Sequence, residues 1–362
     1  MNTKPVFIIA EAGVNHNGSV GTGIKLIDVA AEAGANAVKF QTFHAEAIIS
    51  RSARKAPYQI ANTGNDESQL EMVRRLELSI DDHRALAAHA RKRNIEFLST
   101  PGDLGSVRVL TELLHLRRLK IGSGDVTNPP LLVAAARTGA ALILSTGMSS
   151  LGEVERALGA LAFGLVSAGE AKATRHALTA AYISERGQAL LRERVSLLHC
   201  TTEYPAPAQD ANLRAMQTLR TAFELPVGYS DHTLGSQVAI AAVALGAVIL
   251  EKHFTLDRTM AGPDHVASLE PAELAEMVRA VRSTERALGS GLKVPAASEL
   301  KNIPIARKSL TAACDIREGE QFTEQNLTTK RPGSGICATH YFDYLGRVAT
   351  CNYAADDLID EF

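Results

Sequence analysis

Tryptophan is absent from the chain's 362 residues, and cysteine occurs only four times. The first absence decides nothing about function. The second argues against a disulfide scaffold. Cys200, Cys314, Cys337 and Cys351 lie far apart, none in a C-x-x-C pair, and read as reduced thiols of a cytosolic protein. Long apolar runs are missing too. Near the N-terminus the apolar run 6–10 meets Glu11 at once, which is too short for a membrane span and is not organised like a signal peptide. A cytoplasmic location with no membrane partner is expected. The net charge of -2 gives no general reason to expect nucleic acid. An anionic substrate would need a local cluster of positive charge.

What is present suits a soluble protein with a sizeable core, since 46% of residues are hydrophobic and 22% charged. The length exceeds one ordinary domain, so one large and one small domain are expected. From residue 6 to about 288, short β-type apolar runs alternate with amphipathic stretches. Strands are expected at 6–10, 37–40, 96–99, 118–121, 141–144, 195–199, 227–229 and 248–253. Helices are expected between them, among others at 21–33, 81–93, 129–138, 151–165, 212–223, 235–245 and 271–289. Eight strand–helix units of this size fit a (β/α)8 TIM barrel. A doubly wound open sheet is the runner-up, but the first turn reads EAGVNHNG and lacks G-x-G-x-x-G.

Two insertions interrupt the repeat. One, at 44–70, is polar and follows strand two, at the end where a barrel keeps its active site; the other, at 170–193, reads as a helical extension. The barrel is thus expected over 1–288 and a Gly-, Pro- and Ser-rich linker over 289–305. A small, mostly β domain is expected over 306–362, and its 57 residues are marginal for independent stability.

Side chains alternate along a strand, so in the eighth run, ILEKH, Glu251 and His253 share a face and Lys252 points away. In a barrel the shared face is the interior mouth. Strand seven runs into Ser230-Asp231-His232 and brings a second imidazole to the adjacent strand. Two neutral imidazoles can hold one divalent metal and leave positions for water and a substrate oxygen; a hydrogen-bonded structural His is the competing reading. Lys39 and Lys120 end strands two and four. A buried unpaired lysine is costly, so these point to an anionic ligand, with salt bridges to Glu11 and Asp125 as the alternative. Ser99-Thr100, Ser123 and Ser145-Thr146-Gly147 supply hydroxyls and turns suited to phosphate, though each also suits a helix cap. Glu11 ends strand one and would face the same mouth.

The segments AEAGVNHNG, AVKFQT, LSTP, KIGSGD, LSTGM, LHCTTEYPAP, VGYSDHT, EKHFT and GPDH follow in order along the barrel. Together they resemble the sialic acid synthase, or NeuB, family. The tail, with KSL and later KRPGSGI, is similar to that family's SAF domain, which is similar to type III antifreeze proteins. The loop SRSARKAPYQIANTGNDESQL and the phrase TTEYPAP resemble the family's bacterial N,N'-diacetyllegionaminic acid synthases more than its N-acetylneuraminate synthases.

The resemblance implies condensation of phosphoenolpyruvate with an N-acetylated amino sugar, phosphate leaving by C–O cleavage. The acceptor is 2,4-diacetamido-2,4,6-trideoxymannose in the first branch and N-acetylmannosamine in the second. The resemblance also implies a divalent metal on His232 and His253, manganese first, with magnesium or cobalt as alternatives. It places Lys39, Thr100, Lys120, Ser123, Ser145 and Ser230 around phosphoenolpyruvate. Gln41, Asn65, Asp125, Tyr204 and Asp264 would face the sugar, with Thr202 a further substrate contact. His253 is catalytic through the metal, and Glu11 or Glu251 accepts the proton of the attacking water, with no choice between them from sequence. A domain-swapped homodimer is implied, each SAF domain covering the other barrel's mouth and Arg331 reaching the sugar's acyl group there. Gly102 stands where an aromatic is common, Asp125 where Glu is usual, and Thr202 where sialate enzymes often have Asn. None of these departures removes a lysine or an implied metal ligand. A non-catalytic glycan-binding barrel is the remote alternative, and it should have lost the strand-end His, Glu or Lys.

Overall fold

The computed structural model describes residues 4–64, 67–167, 169 and 171–361. They divide into two compact units, Met1–Gly289 and Ser290–Phe362. In the first, eight parallel strands run as β1 Phe7–Gly13, β2 Ala37–Thr42, β3 Glu96–Pro101, β4 Arg118–Ile121, β5 Ala141–Ser145, β6 Val195–Cys200, β7 Val227–Asp231 and β8 Ile249–His253. Hydrogen-bonded ladders join them in the order β3-β2-β1-β8-β7-β6-β5-β4, and β3 and β4 lie side by side to close the cylinder. This is the expected TIM barrel. The helix starts are written into the sequence. Asp82 N donates to Ser79 Oγ at 3.1 Å while Ser79 N donates to Asp82 Oδ2 at 3.0 Å, capping Ile80–Lys92. Proline opens Pro129–Arg137 and Pro271–Leu288, where its missing N–H has no intrahelical partner to lose.

The strands outrun their apolar patterns. Periodicity ends β1, β2, β3, β5, β6 and β7 where the apolar run stops, yet each continues by one to three polar or small residues. Glu11 pairs with Lys39, Gln41 with Thr100, Ser145 with Leu198, and Cys200 with Ser230. The residues that look like loop are therefore held on rigid ladder backbone.

Inside the barrel the period of two becomes a stack of layers. Ile9, Ala37, Leu98, Ile143, Leu198 and Ile249 form a buried apolar cluster. Two residues further along the same strands stand Glu11, Lys39, Thr100, Ser145, Cys200 and Glu251. The apolar layer is a floor, and the polar layer lies on it toward the mouth. Gly228 makes that floor possible, because a Cβ there would collide with Ile249 O and Leu198 Cδ2.

Pointing the other way, between β7 and β8, Lys252 Nζ lies 2.9 Å from Asp231 Oδ2 and also donates to the Thr233 carbonyl. Asp231 Oδ1 accepts from Thr233 N at 3.0 Å and Thr233 Oγ1 at 2.8 Å, and neither charged side chain is exposed. The next residues along the chain are His232 and His253, so this saturated pair ties together the two backbones that present the imidazoles. Lys252→Met leaves Asp231 buried and unpaired, and we expect it to cost about 3–5 kcal/mol in urea unfolding. Adding Asp231→Asn to Lys252→Met should recover much of that loss; no recovery would mean the pair is not the source.

The polar insertion after β2 folds into helical pieces, Ala45–Ile48, Pro57–Thr63 and the start of Gln69–Arg75. The extension before β6 gives Arg175–Ile183 and Glu185–Arg194, packed on Leu151–Val166. In the second unit β9 Ser309–Ala312 pairs antiparallel with β10 Leu327–Lys330 over a core that includes Leu310, Ile316, Phe322 and Tyr353. The stretch 289–305 holds the single turn Ala297–Leu300 and most of Ile303–Ala306. Among the described residues no helix is long and apolar enough to cross a membrane.

Candidate active site

The polar layer gathers two carboxylates and two ammonium groups, each at most 4% exposed. Lys39 Nζ lies 2.8 Å from Glu11 Oε2, off-line for a directed hydrogen bond, and 3.6 Å from Glu251 Oε2. It also donates to Thr100 Oγ1 at 3.1 Å. Lys120 Nζ stands 3.4 Å from Glu251 Oε1, which accepts from Ser230 Oγ at 2.8 Å.

The two carboxyls are thereby pushed apart. Burial raises Glu11 to about 7, with Lys39 opposing. Burial acts on Glu251 in the same sense, but Lys120 and then Lys39 outweigh it and hold that carboxyl down to about 2. Burial disfavours the charge on Lys39 as well, yet Glu11 and Glu251 more than offset it, so its ammonium is raised above the usual range. Salt bridging of the lysines is thus real, but the partners are Glu11 and Glu251. Asp125, the other partner considered from sequence, instead accepts from Asn128 Nδ2 at 2.9 Å, and burial raises its carboxyl. Ser145 Oγ, buried beside the Cys200 thiol, has no hydrogen bond of good geometry and is free for a ligand oxygen.

The rings of His232 and His253 meet edge to face with centroids 5.5 Å apart. His232 Nδ1 donates to the Thr201 carbonyl at 2.5 Å, which leaves Nε2 as the bare nitrogen, 3.3 Å from Ser230 Oγ. His253 Nδ1 is buried without a hydrogen bond, the Asp264 carboxylate standing 3.9 Å away. Burial lowers His232 to about 4 despite the Thr201 carbonyl, and it lowers His253 well below the usual imidazole range, with His232 and Lys39 adding to the effect. Two neutral imidazoles, one oriented by a carbonyl and one with an orphaned nitrogen, fit a divalent metal. No third His, Cys, Asp or Glu joins them as a cluster among the described residues, so water and substrate oxygens would complete the shell.

The Tyr204 ring lies 4.2 Å from that of His232 and 5.4 Å from that of His253. Asp264 is raised to about 6 by burial, with Lys39 opposing. Its approach depends on Gly13: at φ +52 a Cβ there would stand 3.3 Å from Glu11 Oε1 and 3.6 Å from Asp264 Oδ2. Thr202 Oγ1 and Ser123 Oγ are 3.1 Å apart, and a Cβ on Gly147 would collide with Thr202. Gln41 follows Lys39 on the same face of β2. A cleft of about 1080 Å³ opens along Thr146, Cys200, Thr202 and Glu203. Asn65 lies outside the described residues. Arg331 belongs to the second unit, where its Nε donates to the Ala306 carbonyl at 3.1 Å.

Three residues escape a sequence reading. Cys200 sits in the polar layer, and its signal was its place two residues beyond Leu198 on β6. Lys55 is buried in the insertion, where Nζ donates to Thr63 Oγ1 at 3.1 Å, Gly64 O at 3.1 Å and Glu67 Oε1 at 3.3 Å. Tyr58, on the same insertion, puts its ring 5.2 Å from that of Tyr204. A non-periodic loop announces neither. The departure at Gly102 also finds a reason, since a Cβ there would lie 2.9 Å from Phe43 Cβ and 3.2 Å from Ile48 Cγ2. The stem of the insertion fills the space a side chain would need.

A closed parallel barrel with this charge cluster and imidazole pair at the carboxyl ends of its strands defines an enzyme of the TIM-barrel class acting on an anionic substrate. Residues 26–293 match the NeuB family and residues 307–361 match the SAF domain, and the chain belongs to the NeuB family. It is 52% identical to the N,N'-diacetyllegionaminic acid synthase of Campylobacter jejuni, over 99% of this chain and 100% of that one. Identity to the N,N'-diacetyllegionaminic acid synthase of Legionella pneumophila is 42%, over 96% of this chain and 92% of that one. A solved N-acetylneuraminic acid (sialic acid) synthetase from Leptospira borgpetersenii, in complex with citrate, is 36% identical. It superposes with a TM-score of 0.66 over 83% of this chain and 90% of that one.

Proposed function

We propose that the chain condenses phosphoenolpyruvate with 2,4-diacetamido-2,4,6-trideoxymannose to give N,N'-diacetyllegionaminate and phosphate. The observation that carries this reading is the 52% identity to a legionaminic acid synthase over both whole chains. The intact cluster of Glu11, Lys39, Lys120, Glu251, His232 and His253 supports it. When bound by His232 and His253, a divalent metal, manganese first, supplies Lewis acidity and a template for the sugar's aldehyde oxygen.

Lys39 and Lys120, with the hydroxyls of Ser145 and Ser230, hold the phosphate and carboxylate charges of phosphoenolpyruvate. Its carbon 3 bonds to the aldehyde carbon and leaves carbon 2 cationic. Water adds at carbon 2 and gives one proton to Glu11, which returns it to the new alkoxide. The proton left on the carbon 2 hydroxyl goes to the departing phosphate as the C–O bond breaks and the ketone forms. One phosphoenolpyruvate, one sugar and one water become one nine-carbon acid and one phosphate. Glu11 is the acceptor because its carboxyl sits near 7, within reach of working pH. Glu251 is already spent on Ser230 and two lysines, which it positions.

The family resemblance supplies the rest of the reading. It gives a domain-swapped homodimer in which Arg331 serves the sugar bound in the other subunit, and a cytoplasmic location, where phosphoenolpyruvate is made. The test is phosphate release with manganese, comparing 2,4-diacetamido-2,4,6-trideoxymannose with N-acetylmannosamine. The first should be favoured by at least ~10-fold in kcat/KM. A preference for N-acetylmannosamine would move the enzyme to the sialate branch. No release with either, after metal replacement, would end the catalytic reading.

A further inference from the structure

We propose that Tyr58 is a specificity-determining residue, the wall of the acceptor pocket that meets the substituents distinguishing one amino sugar from another. This rests on the synthase reading above and names a contact within the same site.

Three aromatic rings form a path outward from the metal position. The His232 ring lies 4.2 Å from Tyr204, and the Tyr204 ring lies 5.2 Å from Tyr58, tilted by 40°. An aldehyde placed at the imidazoles therefore sends the far carbons of its sugar along Tyr204 toward Tyr58. Those far carbons are where the two candidate acceptors differ. The diacetamido sugar has an acetamido group at carbon 4 and a methyl at carbon 6, and N-acetylmannosamine has hydroxyls at both. A half-buried tyrosine presents an apolar face with a polar tip, which suits a methyl and an amide better than two hydroxyls. Burial raises the Tyr58 phenol well above its usual range, with Asp264 and Glu203 adding to the effect, so the hydroxyl stays protonated.

The position is built. Asn62, on the same helix Pro57–Thr63, donates from Nδ2 to the Pro263 carbonyl at 2.7 Å and pins the helix beside Asp264. The Lys55 ammonium, its side chain 2% exposed, closes the end of that helix onto Glu67. Gly102 lets the insertion's stem press against the end of β3. A buried cation and a cross-loop amide bond hold one short helix, and the missing Cβ lets the stem that leads to it lie close against β3. Tyr58 is the aromatic residue that helix offers.

The test compares kcat/KM for both acceptors in the wild type, Tyr58→Phe and Tyr58→Ala, with manganese present. Wild type is read first: no preference for the diacetamido sugar sinks the acceptor reading, and this inference with it. Given that preference, Tyr58→Ala should lower the ratio of the two kcat/KM values about 10-fold, mainly through KM for the diacetamido sugar. Tyr58→Phe should keep the ratio within about 3-fold, because the ring face does the selecting. The KM for phosphoenolpyruvate should not move in either variant, which shows the deeper chamber intact. A ratio unchanged in Tyr58→Ala, or an equal loss with both sugars, overturns the assignment while leaving the synthase reading in place.

Discussion

Replacing His253 by Ala is expected to lower kcat/KM for phosphate release about 10³-fold and to strip manganese from the purified protein. The geometry gives the reason. His253 and His232 hold their rings 5.5 Å apart, and no third side chain of the metal-binding kind joins them as a cluster among the described residues. A site with so few protein ligands has little to spare. Metal content by elemental analysis and folding by circular dichroism separate loss of the ion from loss of the barrel. Full activity of His253→Ala with manganese retained would end the ligand assignment. The wild type should also keep its metal to lower pH than ordinary imidazoles allow. A free imidazole competes for protons below about 6.5. Here burial places His232 near 4 and His253 well below the ordinary imidazole range, so protons should displace the metal only as pH falls well below that of a free imidazole. Release beginning near pH 6.5 would contradict that.

The second large effect concerns the two carboxylates. Glu11→Gln is expected to lower kcat about 10²–10⁴-fold, the usual worth of a positioned base. The base form is the ionised one, so with Glu11 near 7 the wild-type kcat/KM should rise with pH through that region. Glu11→Gln should lose both the rate and the rise. Glu251→Gln should behave differently, because that carboxyl lies near 2 and is ionised throughout the working range. Its loss frees Lys120 and loosens Lys39, so KM for phosphoenolpyruvate should change and the rise near 7 should persist. An acid limb that survives in Glu11→Gln and disappears in Glu251→Gln would exchange the two roles.

Much of this was legible from residue order. The apolar runs located every strand of the barrel, and a period of two placed Glu251 with His253 and turned Lys252 outward, where it meets Asp231. The strand ends were read short because polar residues break an apolar pattern without breaking a ladder. Pairing was harder to read than placement. Glu11 lies beside both Lys39 and His253 because β1 runs between β2 and β8, and only the closed cylinder creates that neighbourhood. Asp125 looked equally available to a lysine, yet the turn Ser123–Asp125 gives it to Asn128. Tyr58 could not be foreseen, because the helix that carries it is fixed by Lys55 within the insertion and by the bond from Asn62 to the Pro263 carbonyl, far along the chain.

The apolar layer of Ile9, Ala37, Leu98, Ile143, Leu198 and Ile249 also makes the chamber a blind well. Nothing charged passes through that floor, so every reactant and product shares one doorway. On the proposed chemistry, phosphoenolpyruvate lies at the depth of the lysines and the sugar lies above it. Depth then becomes sequence in time: the lower guest enters before the upper, and the freed phosphate waits until the nine-carbon product has cleared the mouth.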